Sequence, residues 1–339
     1  MERCRAIDNA KLLMIFLVVF GHFIEPLIEY NPIIKALYLS IYSVHMPVFI
    51  ILSGMLSKND LSESRIDKLV VGILIPFMAF EVIYEGTYFA VKGEASQFAV
   101  GFKPYWILWY LFSLFLWRML LPTMLSFRYP ITLSVVISVV AGYVNSVGYF
   151  LDIGRTLYFF PFFLIGYKLT PVFFSNTPLA RVPKVLLISI VVLNVVLFWL
   201  IHGMSEQWLY GSVSYKGMDM QAWYTGLVRL GFYSVSIVTC LATLMIIPNT
   251  EYKISDYGKN SLYVYVWHGL IVELFIESDT IIELYKVLSM PVALGLLFAA
   301  TLIITMLLSA NAVANFTKRF VFAPTERILL RKNRVEQGI

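Results

Sequence analysis

The chain has 339 residues, of which 59% are hydrophobic and only 14% charged, with a mean hydropathy of +0.78. A soluble domain carries about 25% charged residues, so the composition excludes that class and predicts an all-α integral membrane protein. Two cysteines cannot supply a disulfide framework, and the formal charge of +5 is distributed as a topology signal, giving no reason to expect a nucleic-acid partner.

Ten apolar runs, most near the roughly 20 residues that cross a bilayer as a helix, predict spans near 10–29, 34–57, 68–91, 104–122, 129–147, 155–171, 183–202, 224–247, 260–277 and 288–314. Most of the 26 Lys and Arg residues fall at alternate connections, among them Arg5, Lys11, Lys58, Arg65, Lys68, Arg118, Arg128, Lys253 and Lys259. The opposite connections hold Lys35, Lys92, Lys103, Arg155, Lys216 and Lys286. Basic residues are retained in the cytoplasm, so both termini are expected there. Residues 1–315 form a single transmembrane domain in this reading, and 316–339 a short basic cytoplasmic tail. The first run lacks a small-residue cleavage site and is expected to be a retained helix, not a signal peptide.

The first span carries Lys11 and His22, 11 residues apart. At 3.6 residues per turn the two share a face to within about 20°, with His22 roughly 16 Å further along the axis. Lys11 thus lies near one membrane surface and His22 near the middle, where an ionisable group marks a functional site unless it is a polar packing residue. Arg5, Lys11, Arg65 and Lys68 gather at the mouths of the first and third spans. They suit an anionic ligand, and they equally suit simple anchoring by the positive-inside rule.

His45 in the second span and His268 in the ninth join His22 as histidines within apolar runs. A neutral imidazole takes or returns a proton, or attacks a thioester. For His45 the alternative is bracing a helix bent by Pro47; for His268 it is a hydrogen bond to a neighbouring helix. No carboxylate is spaced to orient these three rings, so a metal site is not expected. In the outer half, Glu81, Glu85, Arg155 and Arg229 suit a polyol acceptor, with a structural ion pair between a glutamate and Arg229 as the other reading. Trp208, Tyr210, Tyr215 and Trp223 fit either sugar stacking or an interfacial aromatic belt.

Several motifs, taken in order, resemble the type-3 membrane acyltransferases. They are Arg5 to Lys11 with Val19-Phe-Gly-His22, His45-Met-Pro to Ser53-Gly54, Arg65 and Lys68 ahead of Leu74-Ile-Pro76, Leu108-Trp-Tyr-Leu111, Arg155 to Gly166 and Gly258 to His268. The Arg155 to Gly166 stretch is similar to the fucose 4-O-acetylase branch. The resemblance implies a ten-helix core in the cytoplasmic (inner) membrane of a bacterial-type cell. Such a core moves an acetyl group from cytoplasmic acetyl-CoA to a hydroxyl of an envelope polysaccharide or lipid-linked saccharide. It implies His22 as the catalytic residue, His45 and His268 as supporting groups, and Arg5, Lys11, Arg65 and Lys68 as donor-phosphate contacts, with Lys11 standing where many members have Arg. No fused hydrolase-like extracytoplasmic domain is expected from this sequence, so the chain is expected either to acylate the sugar itself or to serve a separate extracytoplasmic transferase. A glycolipid transporter and an N-acyltransferase acting on an amino sugar are the other functions considered.

Overall fold

The computed structural model describes residues 4–147, 150–174 and 182–330; residues 331–339 of the predicted tail lie outside the described residues. Apart from a single helical turn at Gln97–Val100, the helices are α1 (Arg5–Ile24), α2 (Pro32–Tyr42), α3 (His45–Met55), α4 (Glu63–Leu69), α5 (Ile75–Lys92), α6 (Trp109–Leu125), α7 (Pro130–Ala141) and α8 (Ile153–Leu169). They continue as α9 (Lys184–Leu200), α10 (Gln207–Tyr210), α11 (Thr225–Ile246), α12 (Ser261–Glu277), α13 (Thr280–Val287), α14 (Met290–Leu308), α15 (Asn311–Thr317) and α16 (Ala323–Leu329). No strand occurs among the described residues.

Each of the ten predicted runs is helical over part of its length, and four stretches are long and apolar enough to cross a membrane: Arg5–Leu27, Pro32–Met55, Thr225–Ile246 and Met290–Leu308. Trp109–Leu125, Pro130–Ala141 and Lys184–Leu200 are apolar but shorter. Proline explains the interruptions that matter. Pro26 offers no N–H to the His22 carbonyl four residues back, and α1 tightens there into a 3₁₀ turn over Glu25–Leu27. Pro47 does the same to the Ser43 carbonyl, so the second run breaks between Tyr42 and His45. Pro76 follows a π-helical turn at Val70–Leu74 that shifts the register between α4 and α5.

α1 is the axis of the bundle. It packs against α3, α12, α14 and the 3₁₀ turn Ser255–Asn260, and Met14, Val19, Phe23 and Ile24 are buried along it. The tightest crossing joins α3 to α8. A Cβ on Gly54 would lie 2.0 Å from the Phe163 carbonyl oxygen, and one on Gly166 2.0 Å from that of Ile51. Small residues let the two backbones touch, which is the means by which apolar helices associate in lipid. Beyond residue 315 the chain stays helical: α15, a π turn at Lys318–Phe322 and α16 follow one another, and Phe322 packs on Phe80 and Tyr263.

Candidate active site

His22 leaves α1 one turn before its end and faces a chamber of about 80 Å³. Its Nδ1 lies 3.1 Å from Glu25 Oε2 and 3.2 Å from the Tyr42 hydroxyl. An acceptor as strong as a carboxylate draws the proton to Nδ1, which leaves the Nε2 lone pair to act as base or nucleophile. Glu25 keeps the α-helical backbone of α1, with φ −53° and ψ −45° and its N–H on the Gly21 carbonyl, so the i, i+3 spacing itself brings its carboxylate within reach of the ring. Tyr42 and Tyr210 donate to the same carboxylate at 3.4 and 3.3 Å, and Tyr38 and Tyr210 share a short hydroxyl contact behind it. The expectation that no carboxylate serves the histidines is therefore corrected: Glu25 serves His22 from three residues away, a spacing legible in the sequence.

The other two histidines surround this ring in different ways. His45, fully buried at the break between α2 and α3, donates from Nδ1 to the Ile41 carbonyl at 2.8 Å and lines the chamber. It braces the proline-broken helix and faces the site at once. His268 packs its ring 5.6 Å from that of His22 and directs Nδ1 to the Val264 and Tyr265 carbonyls, while its buried Nε2 has no partner. Among the described residues no group of three His, Cys, Asp or Glu side chains is placed to hold a metal ion.

A second, larger cavity of about 280 Å³ runs from Lys11 toward the chamber. Lys11, Lys68 and Arg118 line it, with Ser53, Tyr110 and Gly72, and its walls contain no carboxylate. Tyr110 and Ser53 share a hydrogen bond of 2.7 Å, and Arg118 Nε is buried without a partner. Val18, Met46 and Tyr265 line both cavities, so one continuous face of α1 connects Lys11 with His22, as the 11-residue spacing predicts. Two of the four proposed donor contacts, Lys11 and Lys68, reach this cavity. Arg5 instead pairs with Glu251 at 2.6 Å and Arg65 with Asp60 at 3.8 Å, and neither lines it. Arg118, which the charge distribution assigns to topology, is the cation that sequence reasoning misses.

Of the four outer polar residues, only Arg155 lines the chamber, stacked over Trp109 and 3.6 Å from Asp152. Burial pushes the Asp152 carboxyl up to about 6. Glu81 accepts the Tyr105 N–H through both oxygens, and Glu85 binds Ser96. Arg229 donates to the Ser138 carbonyl and lies over the rings of Tyr158 and Tyr215. An ion pair between either glutamate and Arg229 is thus not formed; aromatic faces and a carbonyl stabilise the guanidinium instead. Trp208 and Tyr215 are buried, Trp223 is exposed, and Tyr210 reaches the Glu25 network.

The motifs noted in sequence converge here. Gly54, Gly166 and Gly258 are contact points between backbones, Gly258 against the Asp8 carbonyl, whereas Ser53, Trp109, Tyr110, Arg155 and Tyr265 line the two cavities. A family model described as an acyltransferase domain, of the type-3 class, matches residues 5–310. The chain belongs to the type-3 acyltransferase family. No curated protein and no solved structure matches it. Family membership and the apolar helices make this a multi-pass membrane acyltransferase. The candidate site joins a cationic cavity to an imidazole hydrogen-bonded to an adjacent carboxylate.

Proposed function

We propose that this acyltransferase moves an acetyl group from cytoplasmic acetyl-CoA to a hydroxyl of an envelope glycan or its lipid-linked precursor, within a ten-span fold whose termini face the cytoplasm. The observation that carries the reading is the junction of the two cavities at Val18, Met46 and Tyr265. An elongated donor whose phosphates rest among Lys11, Lys68 and Arg118 extends its thioester arm through that junction to His22. Multiple cations without a carboxylate suit phosphate, and Trp106, Trp109 and Phe159 around the chamber suit the apolar face of a sugar ring.

In the step we favour, His22 Nε2 takes the proton of the acceptor hydroxyl as its oxygen attacks the thioester carbonyl. The C–S bond breaks and the proton passes to the departing thiolate, giving an ester and free CoA. Glu25 holds the imidazole in the productive tautomer and stabilises the imidazolium between the two transfers. Arg155 at the chamber wall is a contact for acceptor oxygens in this scheme, and its motif supports a fucose-type sugar as the acceptor.

Purified protein in nanodiscs, supplied with labelled acetyl-CoA and envelope glycolipid, is expected to release CoA and label the glycan. Mild alkali is expected to remove that label. Label resistant to mild alkali would indicate transfer to an amine, and movement of glycolipid without CoA release would indicate a transporter. Mass spectrometry of the envelope glycan with and without the gene identifies the acylated position.

A further inference from the structure

The segment Lys103–Leu108 runs between α5 and α6 and carries Trp106 to the chamber, where the indole meets the His22 ring edge to face at 4.7 Å and 62°. Its backbone is unusual. Phe102 has φ 49° and Trp106 φ 22°, a region that bulky residues adopt only when their surroundings over-determine the conformation. Those surroundings are specific. The buried Tyr105 donates its N–H to both oxygens of Glu81 at 3.0 and 3.1 Å, and its hydroxyl to Glu273 at 2.5 Å. On the far side of Trp106 the Tyr265 hydroxyl donates to the Ile107 carbonyl, and behind it Leu151 N–H binds the Phe102 carbonyl at 3.0 Å.

Phe102, Tyr105 and Ile107 are thus fixed by groups from two helices, α5 and α12, and from the turn Phe150–Asp152, and Trp106, between Tyr105 and Ile107, stands against His22. Glu81 itself does not line the chamber. A carboxylate that spends both oxygens on one backbone N–H fixes the chain at the residue preceding the tryptophan.

We propose that Glu81 is a positioning residue: through Tyr105 it holds Trp106 as a fixed wall against His22, setting the ring's orientation and closing the chamber to water on that side. This rests on the acyl-transfer reading for its kinetic consequences, but not for its geometry. With the wall in place, the acceptor hydroxyl is the nucleophile that meets the thioester. With the wall loosened, water enters, and its oxygen takes the acetyl group as acetate while CoA leaves with the proton.

The test compares Glu81→Ala, Glu81→Gln, Trp106→Ala and the double variant Glu81→Ala/Trp106→Ala in nanodiscs. Glu81→Ala is expected to lower kcat for transfer at least tenfold with the KM for acetyl-CoA unchanged, and to raise acceptor-independent CoA release severalfold. Glu81→Gln, which keeps one oxygen for the Tyr105 N–H, is expected to restore most of the coupling. The double variant is expected to match Trp106→Ala, since groups acting through one another are non-additive. Additive losses, or a rise in acceptor KM with kcat intact, would overturn the proposal in favour of direct contact with the acceptor.

Carbethoxylation of His22 by diethyl pyrocarbonate, read by peptide mass spectrometry, tests the wall without any turnover. Glu81→Ala and Trp106→Ala are expected to speed it severalfold while His45 and His268 stay protected, and Glu81→Gln to leave it near the wild-type rate. An unchanged His22 rate in Glu81→Ala would overturn the clamp even if acyl transfer were demonstrated. Where all three histidines react together in the alanine variant, its fold is lost, and Glu81→Gln with Trp106→Ala decides: wild-type His22 protection in Glu81→Gln and its loss in Trp106→Ala support the clamp. Full protection in Trp106→Ala, or none in Glu81→Gln, overturns it.

Discussion

The two cavities along α1 are built on opposite principles. The one beside Lys11 is roomy, cationic and free of carboxylates, whereas the one beside His22 is small, walled by aromatic rings and centred on a single carboxylate hydrogen-bonded to a histidine and two tyrosines. The contrast teaches how one helix can both recognise an anion and house an imidazole. Over roughly 16 Å, unit charges interact by only about 1 kcal/mol at an effective dielectric of 20, so the cations that hold a ligand barely disturb the ring. Glu25, at 3.1 Å, dominates its surroundings.

The largest effect is expected at the ring itself. His22→Ala should reduce acyl transfer by at least about 10²-fold to 10⁴-fold while acetyl-CoA binding, measured by calorimetry, stays within twofold of wild type. Loss of both together would erase the distinction between the cavities. Glu25→Gln comes next, with kcat lower by on the order of 10²-fold and little change in KM, because a neutral amide neither fixes the tautomer nor stabilises the imidazolium. Steady-state kinetics separate the two parameters.

Arg118→Met sharpens the donor half. It should raise the KM for acetyl-CoA about tenfold, the equivalent of one charge-assisted hydrogen bond, yet leave turnover of S-acetyl-pantetheine, which lacks the nucleotide, unchanged. Equal losses with both donors would place Arg118 on the arm and not on the phosphates. The smallest effect concerns the rim. Asp152, in the loop ahead of α8, holds its proton to about 6 against an ordinary 3.8. Across that interval the folded protein retains a proton that the unfolded chain has released, so this group's contribution to stability falls as pH rises through the window. Asp152→Asn, which tolerates the same left-handed backbone at φ 50°, should remove that fall. Melting temperatures from pH 4 to 7 would then be flatter in the variant than in wild type.

The relation of Lys11 to His22 was legible because helical periodicity carries it without reference to any other part of the chain. So were the helical runs and the break at Pro47. Glu25 was equally legible, at the i, i+3 spacing that puts it on the His22 face, but the Tyr42 and Tyr210 hydroxyls that complete its network come from other elements and are set by tertiary structure. Arg118 required knowing which face of α6 points inward, and an apolar helix with little amphipathic contrast does not announce that. Glu81 and Glu85 were recognisable as an unusual pair, but their partners are a loop N–H and a serine, set by tertiary structure alone. Trp106 gave no periodic signal at all, since it lies in an irregular segment.

The close approach of Gly54 to Phe163 and of Gly166 to Ile51 also fixes how late in synthesis the bundle can be completed. α3 emerges from the ribosome with its glycine groove empty, and the backbone that fills it arrives more than a hundred residues later with α8. By then Lys11, His22, Glu25, Lys68 and Arg118 have all been synthesised. A chain halted just before α8 therefore holds the central ionisable groups of both cavities, and yet it lacks the strut that seats the half-helix bearing His45, so possession of those side chains and competence to use them are separated in time.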